Sequence, residues 1–223
     1  MSAEVMDWDD AYRGQGGFEG PPPWNIGEPQ PELAALHRAG AFRSDVLDAG
    51  CGHAELSLAL AADGYTVVGI DLSPTAIAAA NQAAQLRGLA TASFAQADIT
   101  AFKGYDGRFN TVVDSTLFHS LPVEGRDGYL RSVHRAAAPG ARLYALVFAT
   151  SAFPAEAEMK PNAVDEEELR AAVSAHWEVD DVRPAFIHAN PFPGPDGPDM
   201  SAHDTDDKGR TKLPAYLLTA HKG

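Results

Sequence analysis

The chain has 223 residues, 45% hydrophobic and 22% charged, with a net charge of −14 and one cysteine. That size and balance fit one soluble globular domain with a sizeable core, while an acidic surface argues against nucleic acid, whose phosphates need basic contacts. No apolar run reaches the roughly 20 residues of a membrane span, and one cysteine excludes an internal disulfide, as in a reducing compartment.

Residues 1 to 7 have neither the basic start nor the apolar stretch of a signal peptide, so a cytoplasmic protein is expected. Residues 1 to 31 carry Trp8, Tyr12, Phe18 and Trp24, the run Pro21-Pro22-Pro23, and glycines at 14, 16, 17 and 20. Two readings stay open: an arm whose aromatics patch the core, or a lid that closes over a site and excludes water. A short helix follows from Glu32 to Gly40. We expect a single domain over 1–223, with a lid and helix at 1–40, a ligand-binding core at 41–150, and a C-terminal helix and hairpin at 151–223.

Val46-Leu47-Asp48 reads as the end of a buried strand. Gly50 and Gly52 then allow a tight turn that leaves the backbone bare toward a ligand. Glu55 to Ala62 are good helix formers, with Leu at 56, 58 and 60. Strand, glycine turn and helix together aim free N–H groups at whatever binds there. A dinucleotide would want a third glycine where Glu55 stands, and Glu55 and Asp48 would repel a pyrophosphate. The ligand expected here is cationic near the turn, as S-adenosylmethionine is. Cys51, between the glycines, reads as a small turn residue rather than a nucleophile.

Tyr65 to Asp71 reads as a second strand ending in an acid. Ser73-Pro74 caps the next helix, which runs through Ala76 to Arg87 and stops at Gly88. Leu89–Ala95, Phe109–Asp114 and Ala141–Phe148 supply three more strands, with a helix from Arg126 to Ala137 ended by Pro139-Gly140. Asp165 and Glu168 are spaced like a capping box. Trp177–Val182 and Tyr216–His221 read as strands of a hairpin around a long loop, 190–212. Within that loop, His203-Asp204-x-Asp206-Asp207 reads as a solvated charge run rather than a metal site. Alternating strands and helices imply a parallel sheet with helices on both faces and a ligand at the carboxyl ends of the strands.

With Asp48-x-Gly50-x-Gly52, Val68-Gly69-Ile70-Asp71, Gln96-Ala97-Asp98-Ile99 and Val113-Asp114-Ser115 in order, the chain resembles the class I S-adenosylmethionine-dependent methyltransferases. The resemblance implies a Rossmann-like α/β fold with a seven-stranded, mostly parallel sheet and an antiparallel C-terminal hairpin. It also implies a cofactor site at Asp48, Gly50, Cys51, Gly52, Asp71, Leu72, Asp98, Ile99, Asp114 and Ser115. Asp71 would take the ribose hydroxyls, Asp98 the adenine amino group, and the Ile99 backbone the adenine ring. Ala54 stands where many members have a further glycine.

Trp8-Asp9-x-x-Tyr12 and Pro23-Trp24-Asn25-Ile26-Gly27 resemble the N-terminal segment of thiopurine-type methyltransferases, which covers the active site; this implies acceptor contacts from Tyr12, Trp24 and Ile26. Phe118-His119-Ser120-Leu121-Pro122, with Asp114 to Leu117 before it and Pro23 to Gly27, resembles the mycobacterial heterocyclic-toxin (benzoquinone-type) methyltransferases. That likeness covers most of the chain and weakens after about Pro184. It implies O- or N-methylation of a small heteroaromatic acceptor, hydroxyquinolone- or quinol-like, in a detoxifying reaction that yields S-adenosylhomocysteine and needs no metal. Phe118 and His119 would line the acceptor, and His119, with an ordinary pKa of about 6.5, is the candidate general base. Two alternatives remain: thiol S-methylation of thiopurine type, and a non-catalytic S-adenosylmethionine sensor.

Overall fold

A computed structural model describes residues 7–15, 22–154, 161–191 and 200–223. Phe18, Pro21 and the glycines at 16, 17 and 20, all read as part of the arm, lie outside the described residues, as does the stretch 192–199 of the predicted loop.

Seven strands form one sheet: β1 (Val46–Ala49), β2 (Val67–Asp71), β3 (Ala92–Gln96), β4 (Phe109–Ser115), β5 (Ala137–Phe148), β6 (Glu178–Ala189) and β7 (Thr211–His221). Their order is β3-β2-β1-β4-β5-β7-β6. All pairs are parallel except those made by β7, which runs antiparallel to both β5 and β6. The connections leave β1 toward β2 and leave β4 toward β5, so the sequence order reverses between β1 and β4. A crevice at such a switch point is where open α/β sheets bind ligands.

The helices are α1 (Trp8–Tyr12), α2 (Pro31–Arg38), α3 (Glu55–Ala62), α4 (Pro74–Leu86), α5 (Arg126–Ala136) and α6 (Glu166–Ser174). Alternation along β1 sends Leu47 and Ala49 to one face, with Tyr129, Leu130 and Val133 of α5 and Leu169 and Val173 of α6. Val46 faces the other way, into a cluster with Leu33 of α2 and Leu56 and Leu60 of α3. Each of these Leu side chains contributes roughly 1.5–3 kcal/mol by leaving water. On α4 the buried positions are Ala76, Ala80 and Ala84, one face at four-residue spacing whose small side chains bring the helix close to its neighbours. Ser73 accepts from the Ala76 N–H and Pro74 fills the first turn, as the sequence predicts.

The larger differences in boundary lie in β3, β5, β6 and β7. Strand β5 starts at Ala137, so Pro139-Gly140 lies within its irregular beginning, where the pairing with β4 shifts between Phe109 and Thr111. Strand β3 starts at Ala92 rather than Leu89. Strands β6 and β7 are longer than predicted, because Pro184 and Pro214 sit inside the ladder, opposite Tyr216 and Phe186. The loop 190–212 is correspondingly shorter, and Asp206 is no solvated charge: its carboxylate binds His188 Nδ1 at 2.7 Å and Arg210 Nε at 2.7 Å. The capping box is half formed. Asp165 accepts from the Glu168 N–H, but the Glu168 carboxylate takes Arg126 Nη1 at 2.8 Å instead of closing the box.

Candidate active site

Four carboxylates stand at or just beyond the carboxyl ends of β1 to β4, and the structure uses each differently. Asp48, on β1, is buried; its Oδ2 accepts the Ser57 hydroxyl of α3 at 2.6 Å. Its Oδ1 is buried without a hydrogen-bond partner. Burial, opposed by Ser57 and reinforced by the nearby charge of Asp71, pushes the Asp48 pKa up to about 6. The turn after it holds Gly50, Gly52 and Ala54 at positive φ (67°, 51° and 63°), with Ala54 adopting the left-handed conformation directly before α3. The Cys51 thiol packs against Gly69, where an added Cβ would lie 2.8 Å from Sγ. Burial first, then the charges of Asp48 and Asp71, push that thiol well above its ordinary range, which keeps it protonated.

Asp71 ends β2. Its Oδ2 accepts the Gly52 N–H at 2.8 Å and its Oδ1 the Ser73 N–H at 2.9 Å, so one carboxylate ties the glycine turn to the start of α4. Burial raises its pKa against those bonds. Leu72 beside it leaves 58% of its surface open, an apolar wall next to the carboxylate. Asp98 is exposed, and its Oδ1 takes both the N–H and the hydroxyl of Thr100. Ile99 is buried.

Asp114, on β4, is fully buried, with Oδ1 accepting from the Leu117 and Phe118 N–H groups and Oδ2 from the Tyr129 hydroxyl at 2.8 Å. The carboxylate predicted to meet the cofactor thus shapes the turn after β4, and half-buried Ser115 is the neighbour nearer the surface. Phe118 is also corrected. It is 1% exposed, packs in the core against Tyr129, and lies under the Arg126 guanidinium at 4.6 Å, so its ring is part of the core rather than an open wall.

His119 needs the largest correction. Its ring is 2% exposed and lies 4.4 Å from the Phe148 ring, and Nδ1 accepts the Phe148 N–H at 3.1 Å. An Nδ1 that accepts a hydrogen bond puts the proton of the neutral ring on Nε2. Burial, with the Arg126 charge adding to it, pushes the His119 pKa down to about 3. A ring with its lone pair engaged and so little basicity is not the general base that the sequence suggests; it fastens the turn after β4 to the end of β5.

The N-terminal arm lies over the glycine turn. The Tyr12 ring meets His53 edge-on at 4.9 Å, and an added Cβ on Gly52 would lie 2.5 Å from the Tyr12 hydroxyl. Tyr12, expected at the acceptor, lies against the glycine turn. Trp8 and Trp24 meet edge to face at 5.8 Å. Ile26 is half-buried, its N–H donating to the Trp24 carbonyl. Asn25 Nδ2 contacts His53 Nδ1 at 2.8 Å while its Oδ1 accepts the Gly27 N–H, which orients the amide as donor to His53.

The structure thus gathers Asp48, Gly50, Cys51, Gly52, Asp71 and Tyr12 into one place, with Trp24 beside them, and takes Asp114, Phe118 and His119 into the scaffold beneath. Sequence reasoning missed Ser57, Tyr129 and His53. Ser57 lies in the first turn of a helix whose other residues after Glu55 are all apolar, which was the available signal for a polar partner below it. The other two had no local signal.

The chain is similar to known methyltransferases. The sequence profile of the methyltransferase domain matches residues 46–140. A relative from Mycobacteroides abscessus, 2-heptyl-1-hydroxyquinolin-4(1H)-one methyltransferase, is 47% identical over 227 residues that span the whole of both chains. A solved structure from work on the conversion of a disulfide bond into a thioacetal group during echinomycin biosynthesis superposes with a TM-score of 0.83. It is 31% identical and covers 99% of this chain and 92% of that one. The Burkholderia thailandensis 1,6-didemethyltoxoflavin N1-methyltransferase shares the fold, with a TM-score of 0.62 at 22% identity over 86% of this chain and 76% of that one.

Proposed function

Because the chain belongs to the S-adenosylmethionine-dependent methyltransferases, we propose that it methylates a hydroxyl oxygen or ring nitrogen of a small heteroaromatic acceptor of hydroxyquinolone type. The observation that carries this reading is the full-length 47% identity to a hydroxyquinolone methyltransferase. The whole chain would act as one unit, with the arm at 1–40, the cofactor core at 41–150 and the hairpin region at 151–223.

The turn suits the donor. Asp48 Oδ1, a buried carboxylate oxygen without a partner, matches an ammonium group, since a buried charge is stable only when paired. Gly50 and Gly52 leave backbone open to close approach. Asp71 keeps a lone pair on each oxygen beyond the N–H bonds it accepts, enough for a diol. When bound, S-adenosylmethionine supplies an electrophilic methyl on a sulfonium, which an acceptor lone pair takes by in-line displacement.

The residues of the chain hold and enclose the reactants. Asp48 and Asp71 would hold the donor, with Leu72, Asp98 and Ile99 on its adenosine side. Trp8, Tyr12 and Trp24 would exclude water and offer flat faces to a bicyclic acceptor. His119 fastens the turn after β4 to the end of β5. Capping an acidic hydroxyl removes a charge, which suits a detoxifying role. The acidic composition and single cysteine fit a cytoplasmic location, and none of the described helices is long and apolar enough to cross a membrane.

A second reading, methylation of sulfur, draws support from the 31% identical structure, whose context is chemistry at a disulfide. Transfer of labelled methyl from S-adenosylmethionine to hydroxyquinolones, phenols, quinols and thiols, with Asp71→Ala as control, separates the two. Label on a heteroaromatic oxygen or nitrogen supports the first reading, and label on thiols alone supports the second. Cofactor binding without transfer to any acceptor would sink both and favour a sensor.

A further inference from the structure

Helix α1 carries a carboxylate that serves another helix. Asp9 Oδ1 accepts the Ser73 hydroxyl at 2.6 Å and the Thr75 N–H at 3.0 Å. Ser73 is the N-cap of α4, and its own N–H donates to Asp71. Asp71 in turn accepts the Gly52 N–H, and Gly52 is the residue that Tyr12, one turn beyond Asp9, covers. The contacts form a closed circuit: Asp9 to Ser73, Ser73 to Asp71, Asp71 to Gly52, Gly52 to Tyr12, and back along α1. Arg13 Nη2 holds the other Asp9 oxygen at 2.5 Å, which fixes the carboxylate from its own helix.

We propose that Asp9 is the positioning residue that docks the N-terminal arm on the cofactor turn and thereby sets how long S-adenosylmethionine and its product stay bound. The inference rests on the methyltransferase reading above and adds a residue to it. Asp9 reaches the turn only through Ser73 and Thr75. A docked α1 places Tyr12 against Gly52 on the side where the donor enters, so release of the ligand requires the Asp9 bonds to open. The far end of the arm has its own anchor: Glu28 pairs with Arg210 and Lys208, each at 2.6 Å, and the Gln30 amide pairs with both backbone groups of His188. With residues 28–30 fixed there, loss of the Asp9 contact frees α1 without detaching the whole arm.

The test compares wild type, Asp9→Asn, Asp9→Glu and Asp10→Asn. Asp10 shares the helix and pairs at 3.7 Å with Arg13. S-adenosylhomocysteine dissociation is followed by stopped flow, trypsin cleavage after Arg13 is timed in the free protein, and KM for the donor is measured beside kcat. Removing the charge from these hydrogen bonds is expected to speed dissociation about tenfold in Asp9→Asn. Cleavage after Arg13 should also quicken, and KM should rise more than kcat falls. Asp9→Glu should recover part of the loss, and Asp10→Asn should match wild type in dissociation. Faster cleavage with unchanged dissociation would overturn the proposal, since the arm would then be docked by Asp9 without retaining the ligand. Unchanged cleavage and dissociation would overturn it as well. A wild-type chain with no affinity for S-adenosylhomocysteine would instead remove the cofactor reading on which the proposal stands, and Asp9 cleavage data alone would not restore it.

Discussion

Ser57 donates its hydroxyl to Oδ2 of Asp48 at 2.6 Å and leaves Oδ1 of the same carboxylate buried and without a partner. If this half-satisfied acid holds the donor as proposed, its protonation controls donor binding. With the Asp48 pKa near 6, the carboxyl must lose its proton before it can pair with a cation, so donor affinity should be flat above about pH 6 and fall below it. The expected slope there is about tenfold per pH unit. Calorimetric titration with S-adenosylhomocysteine between pH 5 and 8 checks this, and Asp48→Asn should bind more weakly and lose the pH dependence. A slope that persists in Asp48→Asn would assign the titration elsewhere.

Ser57→Ala removes the hydroxyl that donates to Asp48 Oδ2. A buried acceptor left unsatisfied costs roughly 1–3 kcal/mol, so the unfolding midpoint in urea should fall accordingly. An unchanged midpoint would mean that Ser57 contributes nothing to the fold.

His119 gives a contrasting prediction. A general base of ordinary pKa would make activity fall as pH drops through about 6.5. With the ring near pKa 3 and Nδ1 bonded to the Phe148 N–H, the pH–rate profile from 6 to 8 should keep its shape in His119→Asn, whose side-chain oxygen can take over the bond. His119→Ala should lose roughly 1–3 kcal/mol of stability, because that N–H is then orphaned. Loss of the acidic limb of the profile in His119→Asn would return His119 to the base role.

Asp114 should make stability depend on pH. Its carboxyl is raised to about 7 when folded, chiefly by burial, against 3.8 for an aspartate in water. Between these values the folded state holds a proton that the unfolded state releases, so stability should decline as pH rises from about 4 to 7 and level off above. Asp114→Asn keeps an oxygen for the Leu117 and Phe118 N–H groups and should flatten that decline, a gain on the order of a few kcal/mol at pH 8. Thermal unfolding of both proteins at pH 4.5 and 8 measures it. A decline of equal size in the variant would exclude Asp114 as its source.

Gly69→Ala would set a Cβ 2.6 Å from the Phe94 ring and 2.8 Å from Cys51 Sγ. Overpacking of this kind costs roughly 1–3 kcal/mol, and here the strain enters the cofactor turn through Cys51. Reduced stability together with weaker donor binding is expected. Phe94→Leu in the same chain should recover the stability lost to the ring contact.

The legible features were those with local causes. Ser73-Pro74 announces a helix start because cap and proline act within one turn, and Asp48 and Asp71 mark strand ends because each follows an apolar run. Pro139, Pro184 and Pro214 misled, because a proline reads as a break; Pro184 sits on the edge strand β6 and Pro139 in an irregular strand start, where a missing N–H costs little, while Pro214 sits within the interior strand β7. The direction of side chains after β4 was hidden for a different reason. Phe118 and His119 lie in a single turn of 3-10 helix, and their inward pointing depends on Asp114, Tyr129 and Phe148, partners that spacing along the chain does not reveal. Asp9 was in view as part of a motif, but its target lies 64 residues away.

Strand β7 is inserted between β5 and β6, and the backbone of Lys222 continues the pairing to Gly140 and Ala141. The Lys222 ammonium meets the carbonyls of His134 and Ala137, where α5 turns into β5. During vectorial synthesis, therefore, the β6 edge has no seat on the sheet until residues 211–221 have left the ribosome exit tunnel. Arg210 and Lys208, which hold Glu28 of the arm, arrive only just before them. The arm is therefore made long before the partners of its Glu28 anchor, and until they emerge its hold on the core rests on earlier contacts such as those of Asp9 with Ser73 and Thr75.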